Sequence, residues 1–156
     1  MLTNPHTKII AAFPGTGKSF YHNNNKETSL DSDSSNFSWI YVNNQKVRNP
    51  DFPNNYINHI KENIGKYNYI FVSSHKEVRQ ALIQNSLFFY LLFPTIDAKE
   101  IYIQRYINRN SDKSFIELIE NNWESWINDC TNQINCATFP MMNNWTITNM
   151  IESNLI

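Results

Sequence analysis

Short apolar runs alternate along the chain with stretches in which apolar residues recur every three or four positions. The runs predict buried strands, because a strand covered on both faces has no polar side to alternate with an apolar one. The three-to-four spacing predicts helices, most clearly around Tyr56, Ile57, Ile60 and Ile64. The predicted strands are 8–12, 28–31, 69–72, 87–93 and 136–139. Because strands and helices alternate, we expect an α/β protein with a parallel sheet and right-handed crossovers.

Three of the predicted helices begin with a polar residue followed three positions later by a glutamate, which is the pattern of a capping box. These pairs are Ser74–Glu77, Asp97–Glu100 and Ser114–Glu117. The second and third helices are predicted to extend to about Asn108 and about Asp129. Shorter helices are expected near 18–25 and 144–152, and residues 32–52 are expected to be irregular because prolines interrupt that region.

Composition narrows the class of protein. Of the 156 residues 41% are hydrophobic, enough for one core, so we expect a single folded domain over 1–156 and exclude a disordered chain. The net charge of −1 disfavours a nucleic-acid partner. Cys130 and Cys136 fit neither a disulfide framework nor a zinc site, and no run could span a bilayer. Since Met1–Thr7 also lacks the apolar stretch of a signal peptide, a cytoplasmic protein that does not bind membranes is expected.

The strongest motif is AFPGTGKS at residues 12–19, which matches the phosphate-binding pattern G-x-x-x-x-G-K-[ST] except for alanine at its first position. Gly15 and Gly17 would let backbone N–H groups turn toward phosphates. Lys18 would reach the β- and γ-phosphates, and the Ser19 hydroxyl would ligate Mg²⁺. The motif follows a predicted strand and opens a predicted helix, whose positive end would face the anion. The expected ATP-binding residues are Pro14, Gly15, Thr16, Gly17, Lys18, Ser19 and Phe20.

Four further segments add to this motif, namely LDSDSSNFSW (30–39), RNPDFPNNY (48–56), VSSHKEVR (72–79) and the stretch 105–126. With the loop, they resemble the P-loop kinases of the nucleoside monophosphate kinase type, particularly the short adenylate-kinase-like proteins encoded by bacteriophages. The resemblance implies a P-loop fold with a five-stranded parallel sheet, an acceptor-binding insertion at about 34–66 and a short lid at about 108–114. It also implies ATP and Mg²⁺, and the host cytoplasm if the chain is phage-encoded.

Two arginines match the arginines that the family places on and near its lid. Arg105 and Arg109 lie at i and i+4, on one face of the predicted helix. Phosphoryl transfer spreads negative charge over the equatorial oxygens, so two guanidinium groups aimed at one point would stabilise it. The alternative is that both are solvated, or pair with Glu100 and Asp112. We expect the catalytic role, together with Lys18.

Two aspartates follow the second predicted strand, where ligands bind in parallel sheets. Asp31 and Asp33 are alternate residues, so both carboxylates could face one site. We expect Asp31 to serve Mg²⁺ with Ser19, and Asp33 to orient or deprotonate the acceptor. A solvated acidic turn is the alternative. Many P-loop enzymes end the third strand with an aspartate that supports Mg²⁺, whereas the third predicted strand here ends in serines. We therefore expect Ser19, Asp31 and Asp33 to bind the metal instead.

An acceptor pocket is predicted from cations and aromatic rings. Arg79 could grip the phosphate of a monophosphate, and Arg48 with 54–56 lies where the resemblance places the monophosphate-binding segment. Phe37, Trp39 and Tyr41 could stack on a base, with core or lid packing as the alternative. The predicted substrate-binding residues are Asp31, Asp33, Phe37, Trp39, Arg48, Asn55, Tyr56 and Arg79.

Two other features are predicted to be structural. The stripe of Phe115, Ile119, Trp123 and Trp126 has helical spacing, which indicates core packing. His75 is interpreted as a loop or cap residue rather than a base.

The first functional hypothesis is an ATP-dependent transfer of a phosphoryl group to a nucleoside or deoxynucleoside monophosphate, by a monomer or a homodimer. The acceptor oxygen is already anionic, so no strong base is needed. The second is a kinase of a small hydroxylated metabolite or a polynucleotide 5′-end, for which Asp33 becomes an essential base. The third, suggested by the missing third-strand aspartate, is a low-turnover ATP-binding regulatory protein.

Overall fold

A computed structural model describes residues 6–142 and 144–156, so most of the amino-terminal segment assessed for a signal peptide lies outside it. The strands are β1 (Lys8–Ala12), β2 (Ser29–Asp31), β3 (Trp39–Val42), β4 (Gln45–Arg48), β5 (Tyr69–Ser73), β6 (Tyr90–Pro94) and β7 (Ala137–Met141). The helices are α1 (Lys18–Asn24), α2 (Ser35–Ser38), α3 (Asn54–Asn63), α4 (Lys76–Gln84), α5 (Lys99–Asn108), α6 (Lys113–Thr131) and α7 (Ile147–Glu152), with a 3₁₀ turn at Ile96–Ala98. Within the described residues, no helix has both the length and the apolar character that a bilayer crossing requires.

Five strands form one parallel sheet in the order β2-β5-β1-β6-β7, which confirms the predicted α/β class and the parallel sheet. The central strand β1 is buried on both faces, as its continuous apolar run predicts. Alternate side chains enter two separate cores: Ile9 and Ala11 contribute to one cluster, and Ile10 and Ala12 to the other. The sheet is therefore covered on both sides.

The helices divide between the two faces of the sheet. The larger cluster contains side chains of α3, α4, α5 and α6, whereas the smaller one contains Ile147 and Met150 of α7, with Tyr21 of α1 packed against it. This division creates a switch point at the centre of the sheet. From β1 the chain passes through α1 to one edge of the sheet, and from β5 it passes through α4 to the other side of β1. Ligands bind at the carboxyl ends of strands where the connections diverge in this way.

The region 32–52 is not irregular, and this prediction is wrong. It contains α2 and an antiparallel hairpin of β3 and β4, in which Trp39 pairs with Arg48 and Val42 with Gln45. The turn consists of Asn43 and Asn44, which have φ values of 51° and 63°. A two-residue turn with positive φ at both positions suits a hairpin, and asparagine adopts it more readily than most residues. Two asparagines between two extended segments were the pattern that could have predicted it.

The three predicted capping boxes are also wrong, although the helices themselves exist. The residues that precede α4, α5 and α6 are His75, Ala98 and Asp112, and none of these helix starts has a side-chain capping hydrogen bond. The capping box is found instead on α7, between Thr146 and Asn149. Boundaries shift as well: β6 begins three residues later than predicted, because residues 87–89 precede the ladder.

Candidate functional site

The loop 13–17 between β1 and α1, called here the glycine loop, has its carbonyl groups fixed by hydrogen bonds. The Phe13 carbonyl accepts a hydrogen bond from the hydroxyl of the fully buried Thr16 at 2.8 Å. The Thr16 carbonyl in turn accepts one from the backbone N–H of Ile147, at the start of α7, at 2.9 Å. The loop is thus tied both to itself and to a helix that is distant in the sequence.

Helix α5 fixes the carbonyls of Pro14 and Gly15, which lie between those of Phe13 and Thr16. The Tyr106 hydroxyl donates to the Pro14 carbonyl at 2.7 Å, and Arg105 Nη1 donates to the Gly15 carbonyl at 2.8 Å. The C=O and N–H groups of a trans peptide unit point in opposite directions. Since the carbonyls of Pro14 and Thr16 point outward to their donors, the N–H groups of Gly15 and Gly17 point to the opposite, inner side of the loop. Backbone N–H groups arranged in this way form a concavity that binds anions.

Both glycines of the loop are required by its geometry. Gly15 has φ +87°, and a Cβ atom at this position would lie 2.8 Å from Cε1 of Tyr106. Gly17 has φ +99°, and its Cβ would lie 3.2 Å from Cβ of Thr146. These backbone conformations are rarely adopted by residues with a side chain, and there is little space for one. The packing of α5 and α7 against the loop therefore depends on the two glycines.

Lys18 follows the loop and is half-buried. Desolvation lowers the pKa of its ammonium group, the negative charges of Asp31 and Asp33 act in the opposite direction, and the positive charge of Arg109 lowers it further. Charged groups from the ends of β2 and α5 thus act on one lysine at the carboxyl edge of the sheet. Such a cation beside inward N–H groups is suited to a polyanion.

Ser19 and Asp31, which the sequence predicts as a pair, lie together. The Ser19 hydroxyl donates to Asp31 Oδ2 at 3.2 Å. Hydroxyl and carboxylate oxygens are ligands that suit Mg²⁺. Within the described residues, no group of three or more His, Cys, Asp or Glu side chains could hold a metal. A Mg²⁺ ion at this pair would therefore need phosphate oxygens and waters for most of its coordination, as Mg²⁺ usually does in nucleotide sites.

Arg105 and Arg109 do not converge on one point, which corrects the expectation for them. The guanidinium of Arg105 lies 4.5 Å from the centre of the Tyr102 ring and donates to the glycine loop, so it positions the loop. Arg109 follows the last turn of α5, 5.0 Å from the Tyr106 ring, where its Nε donates to Ser111. Among the described residues, the terminal nitrogens of Arg109 have no hydrogen-bond acceptor.

Asp33, Trp39 and Arg48 line one cavity of about 400 Å³ beneath the hairpin, called here the hairpin pocket. Arg48 is paired with Glu77 at 2.7 Å and also lies 5.4 Å from the Trp39 ring. The opening of the pocket is bordered by His75, which precedes α4. Partial desolvation lowers the pKa of His75, the cations Lys18, Arg48 and Arg79 act in the same direction, and Asp33 opposes them.

Three residues predicted to bind the acceptor have structural roles instead. Phe37 packs against Tyr56 and His59, with ring centres 5.2 and 4.7 Å apart. Asn55 donates its amide to the Phe37 carbonyl at 2.9 Å. The buried hydroxyl of Tyr56 donates to the Ser32 carbonyl at 2.6 Å, and burial raises the pKa of this phenol. These contacts hold the hairpin region to the sheet.

Arg79, predicted to grip a phosphate, is also a structural residue. Its side chain is buried, and its Nε donates to the Ser74 carbonyl at 2.8 Å. The rest of the guanidinium forms an ion pair with Asp129 and a hydrogen bond with Gln133, both at the end of α6 or just beyond it. Its charge is therefore already neutralised inside the protein.

A second and larger cavity, of about 830 Å³, lies between α4 and α6 and is called here the α4–α6 cleft. The aromatic stripe of α6 divides at this point. Ile119 and Trp123 are buried, as predicted, whereas Phe115 and Trp126 are only partly buried and line the cleft. Sequence reasoning missed the cleft, because a helical stripe alone does not reveal whether all of its members meet a neighbour.

No protein-family model matches this chain, and no curated protein matches it with significance. The interpretation therefore depends on the geometry. Inward N–H groups, a half-buried lysine and an oxygen pair of Ser19 and Asp31 meet at the carboxyl edge of the sheet, with two cavities next to them. This combination can bind a polyanion together with a divalent cation and still leave room for a second molecule.

Proposed function

We propose that this protein is a P-loop phosphotransferase that moves the γ-phosphoryl group of ATP to a nucleoside monophosphate and releases ADP and the nucleoside diphosphate. The observation that carries the proposal is the glycine loop, in which the three consecutive carbonyls of Pro14, Gly15 and Thr16 are bonded to helices α5 and α7 outside the loop. The adjacent Lys18 adds the cation that such loops direct at the β- and γ-phosphates. The resemblance of the sequence to nucleoside monophosphate kinases supports the class of acceptor.

The transfer itself needs little proton chemistry. An anionic oxygen of the monophosphate attacks the γ-phosphorus, and the bond from that phosphorus to the β-phosphate oxygen breaks in line with it. Lys18 and the N–H groups of the loop would stabilise the charge on the phosphate oxygens. Arg109, whose terminal nitrogens are unpaired within the described residues, would act on the same charge from the end of α5. Arg105 would contribute indirectly, because it holds the Gly15 carbonyl.

Mg²⁺ fits the oxygen pair of Ser19 and Asp31, which would hold it with one hydroxyl and one carboxylate. When bound, it would neutralise negative charge on the phosphates and orient them. The 3.2 Å hydrogen bond between the two residues keeps both oxygens on the same side of the loop.

The test is a turnover assay with Mg·ATP and a panel of ribo- and deoxyribonucleoside monophosphates, with diphosphate formation as the readout. Lys18→Ala should reduce turnover by roughly a hundredfold or more, as loss of a central charge-stabilising group does. Lys26→Ala is the matched control, because Lys26 is exposed beyond the end of α1. Turnover that is equal in wild type and Lys18→Ala would refute the proposed role of the loop. Tight ATP binding without turnover of any monophosphate would favour the regulatory alternative.

A second candidate, phosphorylation of a hydroxyl group, is favoured by one observation. Asp33 lines the hairpin pocket beside three serines, and its Oδ1 accepts a hydrogen bond from the Ser35 N–H at 2.9 Å, which orients the carboxylate. A hydroxyl acceptor needs a base, which typically contributes a factor of about 10² to 10⁴. Asp33→Asn should then abolish turnover, whereas with a monophosphate acceptor we expect a loss below roughly tenfold.

A further inference from the structure

Two of the three aromatic rings first expected to stack on the acceptor's base are already engaged, and the third, Tyr41, is 73% exposed on β3 and lines neither cavity. Phe37 is packed between Tyr56 and His59. Trp39 carries two cations over its ring, since Lys46 Nζ lies 4.8 Å and the Arg48 guanidinium 5.4 Å from its centre. A planar ring entering the hairpin pocket would have to displace these cations. An aromatic ring outside the hairpin pocket, at the same edge of the sheet, is therefore the better candidate to stack on the base.

The α4–α6 cleft offers such a partner. Phe115, Leu118 and Trp126 give it an apolar wall, and among the described residues no other aromatic ring packs against Trp126. Its volume of about 830 Å³ is twice that of the hairpin pocket and lies within the range of small-molecule sites. Asn128 and Asn132 lie on its polar side, and amide groups can both donate to and accept from the edge of a heterocycle.

The cleft borders the glycine loop. Pro14, directly before Gly15, lines it together with His75 and Lys76. The Lys76 side chain is 65% exposed, and its only ion pair among the described residues is a 3.9 Å contact with Asp129. A monophosphate with its ring inside the cleft could therefore place its phosphate between this exposed cation and the loop. This arrangement brings the acceptor phosphate to the side where the γ-phosphate of ATP would lie.

We infer that the α4–α6 cleft binds the nucleobase of the phosphoryl acceptor, with Trp126 as its stacking ring and Lys76 at the acceptor phosphate. The inference rests on the proposed function and assigns the base-binding role to α6 instead of the hairpin. Both cavities have charged residues in their lining, but among the described residues Trp126 of the cleft has no cation over its ring, whereas Trp39 of the hairpin pocket has two.

The experiment measures equilibrium binding of AMP, GMP, CMP, UMP and dTMP by titration calorimetry at constant ionic strength. Leu118→Trp fills the cleft from a side chain that is 51% exposed, so the fold should tolerate it. Leu155→Trp is the matched control, because Leu155 is 48% exposed and lies outside both cavities. We expect Leu118→Trp to raise the Kd of the bound monophosphate at least tenfold, and Leu155→Trp to change it less than twofold. Mg-free ADP should bind wild type and both variants equally.

Two further variants test the stacking ring directly. Trp126→Ala should raise the Kd of the monophosphate at least tenfold. Trp126→Phe, which retains a ring, should have a Kd within about threefold of the wild-type value. If Leu118→Trp binds the monophosphate as wild type does, the inference is overturned. If wild type binds ADP in a Lys18-dependent manner but no monophosphate, the inference also fails while the phosphate loop stands. Absence of ADP binding as well would show that the proposed function itself fails.

Discussion

The glycine loop and the hairpin of β3 and β4 lie on the same edge of the sheet but are held in opposite ways. The loop is bonded to Tyr106, Arg105 and Ile147, which come from helices far away in the sequence. Within the described part of the chain the hairpin strands pair only with each other, and all of their residues are exposed or half-buried. The difference indicates that the glycine loop is fixed by helices from distant parts of the chain, whereas the hairpin is held mainly by its own ladder and by the exposed Arg48–Glu77 pair with α4. We therefore expect the hairpin to tolerate substitutions without disturbing the loop.

The largest effect is expected from Gly15→Ala, which changes a residue inside the glycine loop. The positive φ and the 2.8 Å approach to Tyr106 should together lower the free energy of unfolding by about 2–5 kcal/mol and abolish ADP binding. Denaturant unfolding and calorimetry measure the two effects. Gly65→Ala is the control, because Gly65 has a similar φ of 90° away from the loop. It should lose stability but keep ADP binding; loss of binding in both variants would mean that backbone strain alone explains the result.

The second prediction concerns Arg79, which was predicted with Arg48 to bind substrate. Its substitution should reduce stability more than that of Arg48. Arg79→Met removes a buried guanidinium and leaves the half-buried Asp129 with only the 3.9 Å contact to the exposed Lys76, so we expect a loss of about 2 kcal/mol in the free energy of unfolding. Binding of Mg-free ADP should not change, because Arg79 does not contact the glycine loop. An unchanged midpoint of unfolding would contradict the structural role of Arg79.

The third prediction concerns alkaline pH. Burial lowers the pKa of Lys18 from its ordinary value of 10.5, and a phosphate binds its charged form, so affinity for Mg-free ADP should fall as pH rises through a value below 10.5. Asp31 raises this pKa, so Asp31→Asn should move the fall to lower pH. Calorimetry across the pH range measures the fall, and circular dichroism of the same samples verifies folding. Affinity that stays constant up to pH 10.5 would refute this role of Lys18.

The smallest effect on stability is expected from Arg48→Met, the hairpin counterpart of Arg79→Met. Its ion pair with Glu77 is about half exposed on both sides, and pairs of this kind contribute from zero to about 1 kcal/mol. We expect the free energy of unfolding, measured by thermal denaturation, to fall by no more than that amount, with ADP binding unchanged. A destabilisation as large as that of Arg79→Met would show that the hairpin is coupled to the core after all.

Much of the fold could be predicted, because its information is local in the sequence. The run at β1 and the motif at 12–19 each specify their own structure, and Ser19 and Asp31 are indeed neighbours in the fold. The role of Arg79 could not be predicted, since its partner Asp129 comes 50 positions later. The α4–α6 cleft was equally unpredictable, because its lining comes from elements that are distant in the chain, whereas Asp33, Trp39 and Arg48 were predicted together and do line the hairpin pocket. The hairpin is a different case: its asparagine turn was visible in the sequence but was not recognised.

The hydrogen bond from Ile147 to Thr16 has a consequence for how the protein is made. Because the glycine loop is translated well before Ile147, the loop lacks one of its anchors until that residue has left the ribosome. Strands β1, β2, β5 and β6 could already pair by then, yet the loop would still lack α7 against Gly17 and Thr16. A nascent chain should thus acquire its sheet before it acquires the nucleotide affinity that we propose for the loop.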